Sequence, residues 1–135
     1  MLQRGYDQII HDIAIQKLPV IFCLDRSGLV GEDGSTHHGA LDIAYMRCIQ
    51  GMIVTAPKDG NELKNLLHTA INYNDGPFSI RYPKDSSIAF DKEISGENIQ
   101  IGSWERLKRG TDIALLAVGS MVDKALDVAN KLESN

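Results

Sequence analysis

Long apolar runs are missing from this chain of 135 residues. None reaches the roughly 18–20 residues a helix needs to cross a bilayer, which speaks against a membrane span. The opening Met1-Leu-Gln-Arg-Gly-Tyr-Asp7 lacks the basic-then-apolar order of a secretory signal. Basic clusters are scarce too. The formal net charge is −4 and no polybasic block occurs, so nucleic acid and anionic membranes are poor partners. An anionic ligand would have to be held by a local group of Arg and Lys. Cysteine is limited to two residues. Cys23 falls in an apolar run and Cys48 in a helical pattern, which reads as two reduced, buried thiols in a cytoplasmic protein, not a disulfide. Internal repeats and low-complexity tracts are absent. With 43% hydrophobic and 24% charged residues, the chain has enough apolar material for a packed core.

The apolar positions alternate between two periods. Leu2, Tyr6, Ile9, Ile10 and Ile13 recur as one face of a helix over residues 2–17, stopped by Pro19. Residues 20–24 form a short apolar strand. A second helix over residues 40–49 would carry Leu41, Ala44, Tyr45, Cys48 and Ile49 inward. Residues 52–56 are another strand, ended by Pro57. Asp59 with Glu62 is a capping pair for a third helix with Leu63, Leu66, Leu67, Ala70 and Ile71 as its stripe. The turn Asn74-Asp-Gly-Pro77 leads to a strand over residues 78–82, closed by Pro83. Such alternation predicts an α/β fold, a doubly wound parallel sheet with helices on both faces. Residues 84–100 break the alternation and read as a linker. A fourth strand over residues 113–118 and a helix capped by Ser120 and Asp123 would open a second α/β unit.

The strand at 20–24 runs into the loop Asp25-Arg-Ser-Gly-Leu-Val-Gly-Glu-Asp-Gly-Ser-Thr-His-His-Gly39. In a parallel sheet the C-terminal strand ends face the ligand crevice. Glycines there permit sharp turns and close backbone approach. Arg26 can grip a phosphate or carboxylate with its fork of donors; alternatively it is an ion-pair partner of Glu32 or Asp33. Lys84, past the last strand of the first unit, would bring a second positive charge to the same crevice. His37 or His38 can exchange a proton with a substrate oxygen near neutrality, or simply fix the loop by a hydrogen bond. A metal site made of His37, His38 and Asp33 is disfavoured, because adjacent histidines rarely ligate one ion. His11 and His68 read as structural or solvated, and Arg4 as solvated unless its helix begins at the crevice. Gly119-Ser120 lacks the three spaced glycines of a nucleotide fingerprint and reads as a plain cap.

Four stretches together carry a resemblance: Leu2-Gln-Arg-Gly-Tyr-Asp-Gln8, the whole loop 25–39, Tyr73-Asn-Asp-Gly-Pro77 and Arg81-Tyr-Pro83. They resemble the 1-deoxy-D-xylulose 5-phosphate synthases, thiamine diphosphate enzymes of the transketolase superfamily. The resemblance is ungapped through about residue 85 and looser beyond. It implies residues 1–86 as the later part of a pyrimidine-binding domain, 87–100 as a linker and 101–135 as the beginning of a C-terminal domain. The implied reaction condenses pyruvate with glyceraldehyde 3-phosphate, releasing carbon dioxide, to supply isoprenoid, thiamine and pyridoxal synthesis. The cofactor supplies that chemistry and the protein positions substrates.

Residue by residue, the resemblance implies that Arg26 binds the acceptor's phosphate, with Lys84 standing where a second arginine is usual. Lysine keeps the charge and loses the bidentate fork. Asp33 and His37 match positions lining the substrate pocket. There Asp33 would accept from substrate hydroxyls, and His37 would hydrogen-bond the reacting oxygen or relay a proton. Arg4 corresponds to an arginine beside the cofactor's pyrimidine, and Met1 stands where an aromatic residue usually packs on it. Ligands for magnesium and diphosphate lie outside this chain, since Glu32-Asp33-Gly34 belongs to the pocket loop. The isolated chain is therefore expected to be inactive, and the intact protein a homodimer. Other transketolase-type enzymes share a loop like residues 31–37, so transketolase itself or the beta half of a 2-oxoacid dehydrogenase is an alternative. A non-catalytic module that binds a phosphorylated metabolite is another.

Overall fold

Three short parallel strands organise the molecule: β1 (Ile21–Leu24), β2 (Ile53–Thr55) and β3 (Phe78–Arg81), in spatial order β1-β3-β2. The computed structural model describes residues 2–87, 89–93 and 95–133. β3 is central. Its Phe78 aligns with Ile21 on one side and Ile53 on the other, and Ile80 aligns with Cys23 and Thr55. A central parallel strand is covered on both faces, so it reads as a buried run rather than an alternating one. Phe78, Ser79 and Ile80 are accordingly almost wholly buried. The polar member is satisfied locally, with Ser79 Oγ donating to the Ile53 carbonyl at 3.1 Å.

Side-chain alternation along the strands sorts the core into two halves. On one face, Phe22, Leu24, Met52 and Val54 meet Ile9, Ala14, Met46 and Ile49. On the other, Ile21, Ile53, Phe78 and Ile80 meet Leu63, Leu66, Leu67 and Ala70 of the helix α3 (Gly60–Asn72). Helices thus cover both faces of the sheet, as the sequence pattern predicts.

The N-terminal helical segment passes from a 3-10 turn (Leu2–Gly5) through α1 (Tyr6–Gln8) into a π-helical stretch (Ile9–Ala14). The wide turns are closed by Ile15 N–H donating to Ile10 O and Leu18 N–H to Ile13 O, both at 3.0 Å. The segment ends with Lys17 at φ 54°, just ahead of Pro19. α3 starts as expected: the Asp59 side chain accepts from the Glu62 amide at 2.8 Å, satisfying a donor the first helical turn leaves open.

Three expectations are corrected. α2 (Asp42–Met46) is only five residues long, with Asp42 and Met46 buried, while Leu41, just ahead of it, is 61% exposed. The stripe is rotated because Asp42 turns inward to meet Arg81, drawing its face of the helix with it. Cys23 and Cys48 are free but exposed: Cys23 opens onto a cavity at the end of β1, and Cys48 follows the short helix. Residues 113–118 form no strand. Ile113, Leu115, Leu116 and Val118 remain 47–78% exposed, since no neighbouring strand among the described residues offers them a hydrogen-bond ladder. The segment after β3 is tied to α3 at three of its described residues. The amides of Asp91, Glu97 and Ile99 donate to the side chains of Asn61, Asn65 and Thr69 at 2.7, 3.0 and 2.8 Å.

The helix α4 (Met121–Glu133) buries none of its described residues. It follows Gly119, whose positive φ of 64° lets the backbone turn. No described helix is long and apolar enough to cross a membrane.

Candidate substrate site

The loop after β1 folds back on itself at Gly39. The Gly39 amide donates to the carbonyls of both Arg26 (3.0 Å) and Gly28 (2.9 Å). A side chain at Gly39 would collide with the Asp42 carboxylate and the Arg26 carbonyl oxygen, so only glycine fits this crossing. Arg26 itself adopts φ 57°, a left-handed conformation costing roughly 1–2 kcal/mol for a residue with a Cβ. The closed loop supplies the restraint that holds it there.

That conformation directs the Arg26 guanidinium to two carboxylates. Nε donates to Asp33 Oδ2 at 2.7 Å, and Nη1 donates to Asp25 Oδ2. Lys84, arriving from beyond β3, places Nζ 3.0 and 3.1 Å from the two Asp33 oxygens. The structure therefore brings together three of the residues singled out from sequence: Arg26, Asp33 and Lys84. It also realises the ion-pair alternative for Arg26, with Asp33 and not Glu32 as partner. Hydrogen bonds from Lys84, then from Arg26, hold the Asp33 carboxyl below its ordinary range. Asp33, then Asp25, raises the Arg26 guanidinium in turn.

A cavity of about 410 Å³ opens beside this cluster, lined among others by Leu2, Cys23, Arg26, His37, Asp42 and Tyr45. His37 lies in a 3-10 turn (Ser35–His37), its Nδ1 3.1 Å from Thr36 Oγ1. His38 does the loop-fixing: its Nδ1 accepts from the buried Val30 amide at 3.0 Å.

At the back of the cavity, Asp42 accepts from the Tyr45 hydroxyl at 3.2 Å. Burial, then Asp42, pushes that phenol well above its ordinary value. Arg81 Nη2 donates to the Gly39 carbonyl at 2.9 Å, and its Nε lies 3.7 Å from Asp42 Oδ2. Sequence reasoning missed Asp42 and Arg81. The available signal was a carboxylate on the face of a short helix that should have been apolar, and an arginine inside a strand.

Of the residues expected at the cofactor, Arg4 is exposed and Leu2 lines the cavity instead. Met1 lies outside the described residues. Among the described residues no group of three or more His, Cys, Asp or Glu could hold a metal ion. The described residues do not by themselves fit thiamine diphosphate with magnesium.

Residues 1–87 match the model of the transketolase pyrimidine-binding domain. The chain belongs to this family. It is 54% identical over 132 residues to the 1-deoxy-D-xylulose-5-phosphate synthase of Acaryochloris marina, covering 97% of this chain and 21% of that one. With the same synthase of Aquifex aeolicus the identity is 52% over 131 residues, covering 97% and 20%. The solved structure of a split-gene transketolase, titled an inactive beta4 tetramer, superposes with a TM-score of 0.82 at 29% identity, over 97% of this chain and 41% of that one. The chain spans about a fifth of the length of the curated relatives it matches. The cluster of Arg26, Asp33 and Lys84 sits beyond the C-terminal ends of β1 and β3.

Proposed function

We propose that this chain is a segment of a thiamine diphosphate-dependent synthase that joins pyruvate to glyceraldehyde 3-phosphate, giving 1-deoxy-D-xylulose 5-phosphate and carbon dioxide. The observation that carries the reading is the convergence of Arg26 and Lys84 beside His37, in a chain about half identical to such synthases. Two cations at one strand-end crevice suit a phosphate dianion. Asp33 holds them at a fixed spacing and has oxygens to accept from acceptor hydroxyls. His37, on the cavity wall, is placed to hydrogen-bond the reacting oxygen. Residues 1–86 belong to the pyrimidine-binding domain, 87–100 to a connecting segment, and 101–135 to the beginning of the C-terminal domain. The whole protein is a cytoplasmic homodimer that uses magnesium, both held largely by residues beyond this chain.

Arg26→Ala in the full-length protein carrying this segment tests the assignment. The expected result is a large rise in KM for glyceraldehyde 3-phosphate, with pyruvate decarboxylation less affected. An unchanged acceptor KM removes Arg26 from the site. For the isolated 135 residues, calorimetry with thiamine diphosphate and magnesium is expected to show no tight binding. Tight binding there would overturn the division of the cofactor site between this chain and the remainder.

A further inference from the structure

Arg81 ends the central strand, yet its side chain is only 17% exposed and that of Asp42 only 10%. An arginine and an aspartate buried this far carry a substantial desolvation cost. The pair does not bridge the two core halves and does not line the Arg26–Lys84 cluster. What it touches is the closure of the loop. Arg81 Nη2 donates to Gly39 O, and the Gly39 amide on the other side of the same residue donates to Arg26 O. The Asp42 carboxylate packs where a Gly39 side chain would be. Asp42 is steadied in turn by the Tyr45 hydroxyl, and the Tyr45 carbonyl accepts from Tyr6 O–H at 3.2 Å. Arg81 Nε is left without a hydrogen bond among the described residues, so the guanidinium is placed for Gly39 at the expense of an ideal bidentate grip on Asp42.

We propose that Arg81 and Asp42 are positioning residues that clasp Gly39 against the Arg26 carbonyl and so keep Arg26 in its left-handed conformation, with its guanidinium on Asp33. Neither residue touches the anion. Their role rests on the reading of Arg26 as a phosphate-binding group only for its functional consequence, not for the clasp itself. Without the clasp, Arg26 relaxes to an ordinary backbone conformation and its fork leaves the crevice.

The test uses ¹⁵N nuclear magnetic resonance on the 135-residue chain, reading the Gly39 amide and the Arg26 Nε–H together with the α3 amides of Leu66 and Ala70. Arg81→Lys keeps the charge beside Asp42 but loses the planar fork, so it avoids an uncompensated buried carboxylate. Asp42→Asn removes the other partner. The expected result in Arg81→Lys is at least tenfold faster exchange at Gly39 and loss of the slowed Arg26 Nε–H signal, with Leu66 and Ala70 unchanged. Asp42→Asn is expected to do the same where it folds, and Arg81→Lys decides where it does not. Unchanged Gly39 exchange in Arg81→Lys overturns the proposal. Equal acceleration at Gly39, Leu66 and Ala70 also overturns it, because the pair would then support the fold as a whole. Titration with inorganic phosphate separates the two readings. A wild-type chain that binds no phosphate removes the anion role of Arg26, while the exchange data still decide the clasp.

Discussion

Lys84 Nζ lies 3.0 Å and 3.1 Å from the two carboxylate oxygens of Asp33, across 51 positions of sequence. Arg26 Nε meets the same carboxylate at 2.7 Å. One acid thus pairs with both cations. On the proposed reading of these cations as phosphate ligands, an incoming phosphate would compete with Asp33 for its donors. Asp33→Asn removes the competitor's charge and keeps its shape. The expected outcome is tighter binding of inorganic phosphate by about tenfold, the low end of the scale of one charge-assisted hydrogen bond. Chemical-shift titration measures it, and weaker binding in Asp33→Asn would show that Asp33 organises the cations more than it blocks them.

The same carboxylate gives the fold a dependence on acidity. Its two cationic partners hold its pKa below the ordinary 3.8. A group whose pKa is lowered by folding contributes stability that is fully present above its unfolded value. That stability is lost as pH falls through the folded value. The difference in urea midpoint between wild type and Asp33→Asn should therefore be constant from about pH 7 to pH 5 and shrink below about pH 4. A difference that instead grows toward acid would reverse the assigned sign.

The parts of the fold governed by local rules were legible in the sequence. Pro19, Pro57 and Pro83 bound the strands, and Asp59 with Glu62 marks the start of α3, as its side-chain cap confirms. The loop that joins β1 to the crevice was legible from its glycines and its position. What escaped depends on contacts between distant residues. The inward turn of Asp42 needs Arg81, 39 positions on, and no period in α2 announces it. The fate of residues 113–118 depends on a neighbouring strand, and apolarity alone does not supply one. Where Asp91, Glu97 and Ile99 lie is set by side chains on a helix already completed. Arg26 was correctly narrowed to a ligand fork or an ion pair, and the geometry shows the pair with Asp33.

Asn61, Asn65 and Thr69 recur every four residues along α3, so they share one face of the helix. Each accepts a backbone amide of the segment that follows β3. Thr69 is buried and also donates to Asn65 O at 2.7 Å. Thr69→Val leaves the half-buried Ile99 amide without an acceptor, a loss of about 1–3 kcal/mol. Asn61→Ala faces solvent, where water replaces the lost bond, and should cost about 0.5–1.5 kcal/mol. Urea unfolding of both variants checks the order. If Asn61→Ala costs more, the segment is held chiefly at its beginning.

Exposed apolar side chains gather toward the C-terminal part of the described chain. Trp104, Ile113, Leu116 and Val128 are 69%, 68%, 78% and 47% exposed. Exposed apolar side chains of this kind drive association where they come together and nothing covers them. The chain on its own is therefore expected to self-associate as its concentration rises, seen by sedimentation velocity. Trp104 is the single tryptophan of the sequence, so its emission reports directly on whether this region becomes covered. Ile113→Asp with Leu116→Asp should return the chain to a smaller species, since two charges would have to be desolvated in any contact. Because neither side chain belongs to the two core clusters, the α3 amides should keep their protection in that variant. Association that persists undiminished in the double variant would place the contact elsewhere.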